Sequence, residues 1–176
     1  MKNNRQTATK KIAFLGLSAS LALLLSYVEF LMPPLFVAVP GIKLGLPNAV
    51  IIYVLYSMGV RHAAFVSFTR LFVSTLLFGN VMMLAYSAAG AVLSLLVMSL
   101  LKKTDFLSPV GVSVTGGVSH NLGQILVAML LLDTPQIAFY MLVLAVTGTI
   151  SGIFIGLCGM LLIRRMPLRK LFRLDE

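Results

Sequence analysis

Charged and hydrogen-bonding residues lying inside long apolar runs are the first places to look for chemistry in this sequence. Arg70 stands near the centre of the run Arg61–Phe78. An ionised group at that depth is costly unless it is paired or solvated, so it either staples helices by bonding carbonyls or Glu29, or it holds a ligand. Glu29, near the outer end of the first apolar run, is its candidate partner; the alternative is a carboxylate resting at the membrane interface. In the segment Gly116-Gly-Val-Ser-His-Asn-Leu-Gly-Gln124, Gly116, His120 and Gln124 recur every four residues, with Asn121 beside them. On a helix they share one face. An imidazole and two amides can read the carbonyl and amide edges of a ligand, or they can bond a neighbouring helix where glycines let it approach.

The segment Pro40-Gly-Ile-Lys-Leu-Gly-Leu-Pro-Asn48 places Lys43 just before the start of a helix. Unpaired N–H groups and the dipole at that end favour anions, so Lys43, Asn48 and the helix start form a candidate anion trap. A lysine anchoring its loop at the interface is the alternative. Asn80, in the turn Gly79-Asn80, completes the candidate ligand set. No Gly-x-x-x-x-Gly-Lys-Ser/Thr loop occurs, so ATP binding of that kind is not expected in this chain. With five acidic residues and none paired as ligands for a magnesium diphosphate, prenyl transfer is not expected either. A metal site would need more ligands than the scattered histidines and the single Cys158 supply. The chain is therefore read as a non-enzyme without a cofactor of its own.

These residues are positioned by elements that composition makes plain. Hydrophobic residues are 59% of the 176-residue chain and charged ones 11%. A soluble domain carries about a quarter charged residues, so the expected solvent is lipid. The net charge of +9 would suggest nucleic acid in a soluble protein. Here the basic residues cluster at the ends and in loops, which points to membrane orientation and excludes nucleic acid as a partner. Six helices are expected: Ile12–Met32, Leu46–Val60, Arg61–Phe78, one from Asn80 to Lys103, Val110–Leu132, and a long last one reaching Ile163 after the turn and N-cap signal Asp133-Thr134-Pro135. The first is too long an apolar run for a signal peptide and is read as retained. The second is short, so a re-entrant segment within a four- or five-span protein is the alternative to six crossings.

Placing the N-terminus inside puts Lys2, Arg5, Lys10, Lys11, Arg61, Lys102 and Lys103 on the cytoplasmic side. The C-terminal Arg164, Arg165, Arg169, Lys170 and Arg173 join them, leaving only Lys43 and Arg70 elsewhere. That bias predicts an N-in, C-in all-α polytopic protein with an even number of spans. Residues 1–11 form a basic N-terminus, 12–163 a single six-helix membrane domain, and 164–176 a basic tail. Small residues at four-residue spacing, Gly16/Ser20 and Ser18/Ala22 on the first helix and Gly148/Gly152/Gly156 on the last, allow close helix approach within the bundle or against a partner.

Together, the Pro40–Asn48 segment, Arg70 with Phe78-Gly79-Asn80, and the Gly116–Gln124 segment resemble the Gx transporter family, also labelled heptaprenyl diphosphate synthase component I. The likeness runs from about Ala13 to Ile163. That family resembles the substrate-binding S components of energy-coupling factor importers. The resemblance implies six helices, an outward-facing pocket, and partners comprising a transmembrane coupling protein and two ATPases that use the ATP. It further implies a small anionic vitamin- or cofactor-type ligand, flavin-like or isoprenoid- and quinone-related, and a bacterial-type cytoplasmic membrane location. The Ala-x-x-x-Ala docking signature of S components is replaced here by Gly16/Ser20 and Ser18/Ala22. Two other readings stay open: a noncatalytic membrane subunit of heptaprenyl diphosphate synthesis, and a standalone secondary transporter, for which the two halves show no convincing repeat.

Overall fold

A computed structural model describes residues 2–32, 45–133 and 135–166; within them the chain is helical and contains no strand. Six α-helices follow one another: α1 (Lys2–Leu31), α2 (Asn48–Met58), α3 (Val60–Phe78), α4 (Val81–Thr104), α5 (Pro109–Leu132) and α6 (Met141–Arg165). A 3₁₀ turn, Pro135–Tyr140, leads into the last. Lys43, Thr134 and the basic tail from 167 onward lie outside the described residues.

Among the described residues, four helical stretches are long and apolar enough to cross a membrane: Ala8–Leu31, Leu84–Thr104, Pro109–Leu132 and Ala138–Arg165. The protein is thus a multi-pass helical membrane protein. Its surface inverts the soluble pattern, with ridges of exposed large apolar side chains such as Phe65, Phe68, Phe72 and Leu76 on α3 and Leu122, Leu126 and Leu130 on α5.

The expected second span has a different character. At 11 residues α2 rises about 16 Å against a hydrocarbon thickness of about 30 Å. Val50 to Leu55 are all buried, so α2 is enclosed by other helices rather than by lipid. It packs against α6 and α3, with α1 also in contact. Gly59 ends it with φ +91°, a conformation glycine adopts without the steric cost other residues meet. The Leu55 carbonyl left over at that end accepts from Gly59 N at 3.2 Å and from Lys102 Nζ at 2.6 Å. The ammonium sits 5.1 Å from the Tyr56 ring centroid, a cation placed where the helix dipole favours one. Tyr53 packs edge-on to Phe14 and donates to the Met166 carbonyl at 2.8 Å. The end of α2, the start of α3 and the ends of α4 and α6 therefore meet at one end of the molecule, which carries Arg61, Lys102, Lys103, Arg164 and Arg165.

Glycines set the other half of the architecture, a layer of α4, α5 and α6. A Cβ on Gly152 would lie 2.6 Å from Val114 Cα, one on Gly156 2.7 Å from Val110 Cα, and one on Gly117 2.7 Å from the Gly148 carbonyl oxygen. The last helix's glycine stripe is thus consumed by α5 inside the bundle. Lipid gives helices no hydrophobic reason to associate, so such backbone contact supplies the packing.

Three expectations need adjustment. The first helix begins ten residues before Ile12, at Lys2, within the basic N-terminus. Asp133 does not cap the last helix but closes α5 in the left-handed conformation, φ 47°. The last helix itself is 25 residues, because the chain first makes its 3₁₀ turn.

Candidate functional site

On α1, Ser18, Ala22, Ser26 and Glu29 are buried while Leu17, Leu21, Leu24, Val28 and Leu31 are exposed, so the spacing of three and four turns one polar stripe inward. Ala22 shares one buried core with Ala63 and Val66 of α3, both fully buried, and α1 packs along α3. Arg70 emerges from this α3 stripe at 8% exposure, and its Nη1 donates to Ser26 Oγ at 3.3 Å. Glu29, also 8% exposed, acts electrostatically on that guanidinium. Its Oε1 accepts a hydrogen bond from the Gly45 backbone N–H. Glu29 is therefore buried among the helices, and it ties the approach to α2 to the C-terminal part of α1.

These groups face a cavity of about 80 Å³ at the centre of the helices. Every long helix contributes. From α1 come Ser26 and Glu29, from the start of α2 Asn48 and Ile52, and from α3 Arg70, Ser74, Thr75 and Phe78. α4 adds Ser87, Ser94 and Met98, and α6 adds Ser151, Gly152 and Ile155. α5 lends one face, including Ser113, Gly116, His120 and Gln124, with Asn121 at its edge. The cavity reaches the C-terminal ends of α1 and α3, where Phe78 packs against Tyr27 and Phe30 at centroid distances of 5.7 and 5.0 Å. Gly90 of α4 makes room for the polar face of α5: a Cβ there would lie 2.7 Å from the His120 carbonyl oxygen and 2.9 Å from Gln124 Cγ.

Of the ligand candidates read from the sequence, Glu29, Asn48, Arg70, His120, Asn121 and Gln124 line this one cavity. Asn80 does not: it is exposed at the α3–α4 junction, where its carbonyl accepts from Leu84 N at 3.0 Å. Lys43 is outside the described residues. The expectation of unpaired N–H groups at the start of α2 is corrected. The amides of Asn48, Ala49, Val50 and Ile51 donate to the carbonyls of Gly45, Leu46 and Pro47 at 2.8–3.3 Å, leaving that turn satisfied by its own backbone. Asn121 also has a structural task, since its Nδ2 donates to the Leu144 carbonyl of α6 at 2.7 Å. Of the small-residue pairs on α1, Ser18 and Ala22 are buried inside the bundle, whereas Gly16 and Ser20 face outward.

The sequence reading passed over the hydroxyls of α3, α4 and α6. Their one visible signal was spacing, with Ser87 and Ser94 seven residues apart on α4. Single serines are too common in membrane helices for that to stand out. Among the described residues no group of three or more His, Cys, Asp or Glu comes together to hold a metal ion.

One charge in this site is incompletely satisfied. Arg70 Nε is buried without a hydrogen-bond partner among the described residues. A buried donor left unpaired costs about 1–3 kcal/mol, so the wall of the cavity holds a donor whose needs the protein does not meet.

Against known proteins, the sequence pattern of the family described as heptaprenyl diphosphate synthase component I matches residues 18–162. No curated protein and no solved structure matches the chain. With most of its length matched, the chain belongs to the heptaprenyl diphosphate synthase component I family.

Proposed function

We propose that this member of the heptaprenyl diphosphate synthase component I family is a noncatalytic membrane subunit that binds a small polar ligand in its central cavity. The observation that carries the reading is Arg70, a guanidinium 8% exposed at the cavity wall whose Nε has no partner among the described residues. Proteins rarely bury such a group for packing alone, and inside a membrane it marks a functional site by default. The polar face of α5 opposite Arg70 supplies directional contacts, and the surrounding apolar helices exclude water. The lining runs from the α5 face past Arg70 to Glu29 and Phe78 near the C-terminal ends of α1 and α3, so a ligand's polar head would sit at Arg70 with the remainder reaching toward those ends.

Two finer readings extend this one. In the first, the chain is the substrate-binding subunit of an ATP-driven importer in a bacterial cytoplasmic membrane. It would take its ligand from outside and pass it inward with a coupling protein and ATPases, and the cavity's reach to the C-terminal ends of α1 and α3, which the N-in reading puts outside, favours this. In the second, favoured by the family's own description, the chain is the membrane partner of an enzyme making heptaprenyl diphosphate, and the cavity holds an isoprenoid-related molecule. Affinity purification from native membranes separates them. Recovery of membrane and ATPase subunits, with ATP-dependent uptake in liposomes, supports the first. Recovery of a soluble prenyltransferase whose activity rises on adding this chain supports the second. Uptake by the chain alone in liposomes contradicts both.

A further inference from the structure

Two buried hydroxyls on the cavity wall have no task within the protein. Ser26, Ser74, Thr75 and Ser151, which also line the cavity, donate to carbonyls of their own helices at 2.9, 3.0, 2.8 and 3.3 Å, the bond that a hydroxyl in a helix most readily finds. Ser94 of α4 and Ser113 of α5 line the same cavity at 6% and 5% exposure, and neither side chain makes a hydrogen bond among the described residues. A buried polar group left without a partner costs free energy, and Arg70 Nε on the same wall shares that condition.

Packing brings these three groups to one end of the cavity. Met98 of α4 shares a buried core with Val66 of α3 and Val112 of α5. Arg70 stands one turn after Val66, Ser94 one turn before Met98, and Ser113 directly follows Val112. Because α3 and α4 are packed together and joined by only Gly79-Asn80, they run in opposite directions, and the steps from Val66 to Arg70 and from Met98 to Ser94 lead the same way from this core. Gly116 supplies the room there: a Cβ on it would lie 2.6 Å from Met98 Sδ and 3.2 Å from Ser94 Oγ. Met98 over Gly116 is thus a floor, with Arg70, Ser94 and Ser113 on the cavity side of it.

A guanidinium Nε can only donate, whereas a serine hydroxyl both donates and accepts. Glu29 already acts on the charge of Arg70, so what Nε still lacks is an acceptor atom. We propose that Ser94 and Ser113 are ligand-binding residues that hold, together with Arg70 Nε, a head group offering an acceptor oxygen at the Met98 end of the cavity. This inference rests on the ligand-binding reading above and adds two contacts to it. A carbonyl, a carboxylate and a phosphate all offer such an oxygen.

The test is native mass spectrometry of the full chain purified gently from its native membranes, beside the double variant Ser94→Ala/Ser113→Ala. The variant should carry about tenfold less of the small molecule that the parent retains, as expected for two lost hydrogen bonds of ordinary strength. Since the two hydroxyls bond nothing in the protein, its helical circular dichroism and its thermal midpoint, read after exhaustive detergent exchange has stripped both proteins of small molecules, should match the parent's. Fragmentation of the retained molecule names the source of the oxygen: loss of metaphosphate for a phosphate, of carbon dioxide for a carboxylate, of neither for an uncharged oxygen group. A double variant that retains the molecule to the same extent, or a retained molecule without oxygen, overturns the inference and leaves the Arg70 site standing. A lowered thermal midpoint of the stripped variant also overturns it, since the serines would then be holding the helices. A parent that carries no small molecule removes the ligand-binding reading and the inference with it.

Discussion

Replacing Arg70 with alanine tests how the buried charges hold one another. The substitution removes the donor to Ser26 Oγ and leaves Glu29, itself 8% exposed, without the cation that acts on it. Breaking a buried pair by deleting one partner costs about 3–5 kcal/mol, because the remaining charge stays buried and uncompensated. For a chain of this size a thermal midpoint moves by about 2–4 °C per kcal/mol, so Arg70→Ala should melt roughly 6–20 °C below the parent. The chain has no Trp, so the helical circular dichroism signal in detergent is the suitable probe. Glu29→Gln on top of Arg70→Ala removes the stranded charge while keeping an acceptor for Gly45 N–H. The double variant should therefore melt above Arg70→Ala, with a coupling of about 1–3 kcal/mol. A silent Arg70→Ala, or a double variant whose loss equals the sum of the two single losses, would refute the idea that the two charges are coupled.

Other perturbations probe separate parts of the structure. Gly152→Ala places a methyl 2.6 Å from the backbone of Val114 and should drive α5 and α6 apart, lowering the melting point by about 5 °C or more and broadening the size-exclusion peak. Gly16→Ala, which meets nothing within 4 Å, should be neutral or stabilising by up to about 1 kcal/mol through helix propensity. Gly90→Ala pushes on His120 and Gln124, so dialysis should show ligand affinity falling further than thermal stability does. Lys102→Met removes the charged cap of α2, whose bond to Leu55 is 2.6 Å long. Hydrogen bonds to charged groups contribute about 1.5–3 kcal/mol, and the variant's melting point should fall by about 3–12 °C.

Much of this organisation was legible in the residues themselves. The lipid solvent followed from the shortage of charge, and helix limits for α3, α4 and α5 were placed within one or two residues because glycine, proline and lysine punctuate them. The face shared by Gly116, His120 and Gln124 was set by helical period alone. What could not be read was tertiary. An apolar run such as Val50–Leu55 looks the same whether lipid or protein surrounds it, so the enclosure of α2 was hidden. Nothing local distinguishes the Gly148–Gly152–Gly156 stripe as a seam with α5 rather than a face for a partner. Likewise, Glu29 lies two residues from the end of its helix, a position equally suited to an interface. Only the inward stripe with Ser26 and the contact with Gly45 place it in the cavity.

The central claim, that Arg70 and the α5 face form a binding site, is tested most directly by native mass spectrometry of the gently purified protein beside Arg70→Lys, which keeps a cation near Glu29 but not the guanidinium geometry. The account predicts a small molecule retained by the parent and lost from a folded Arg70→Lys variant. A parent that carries no ligand when purified from its native membranes, or a variant that retains the same molecule to the same extent, would contradict it.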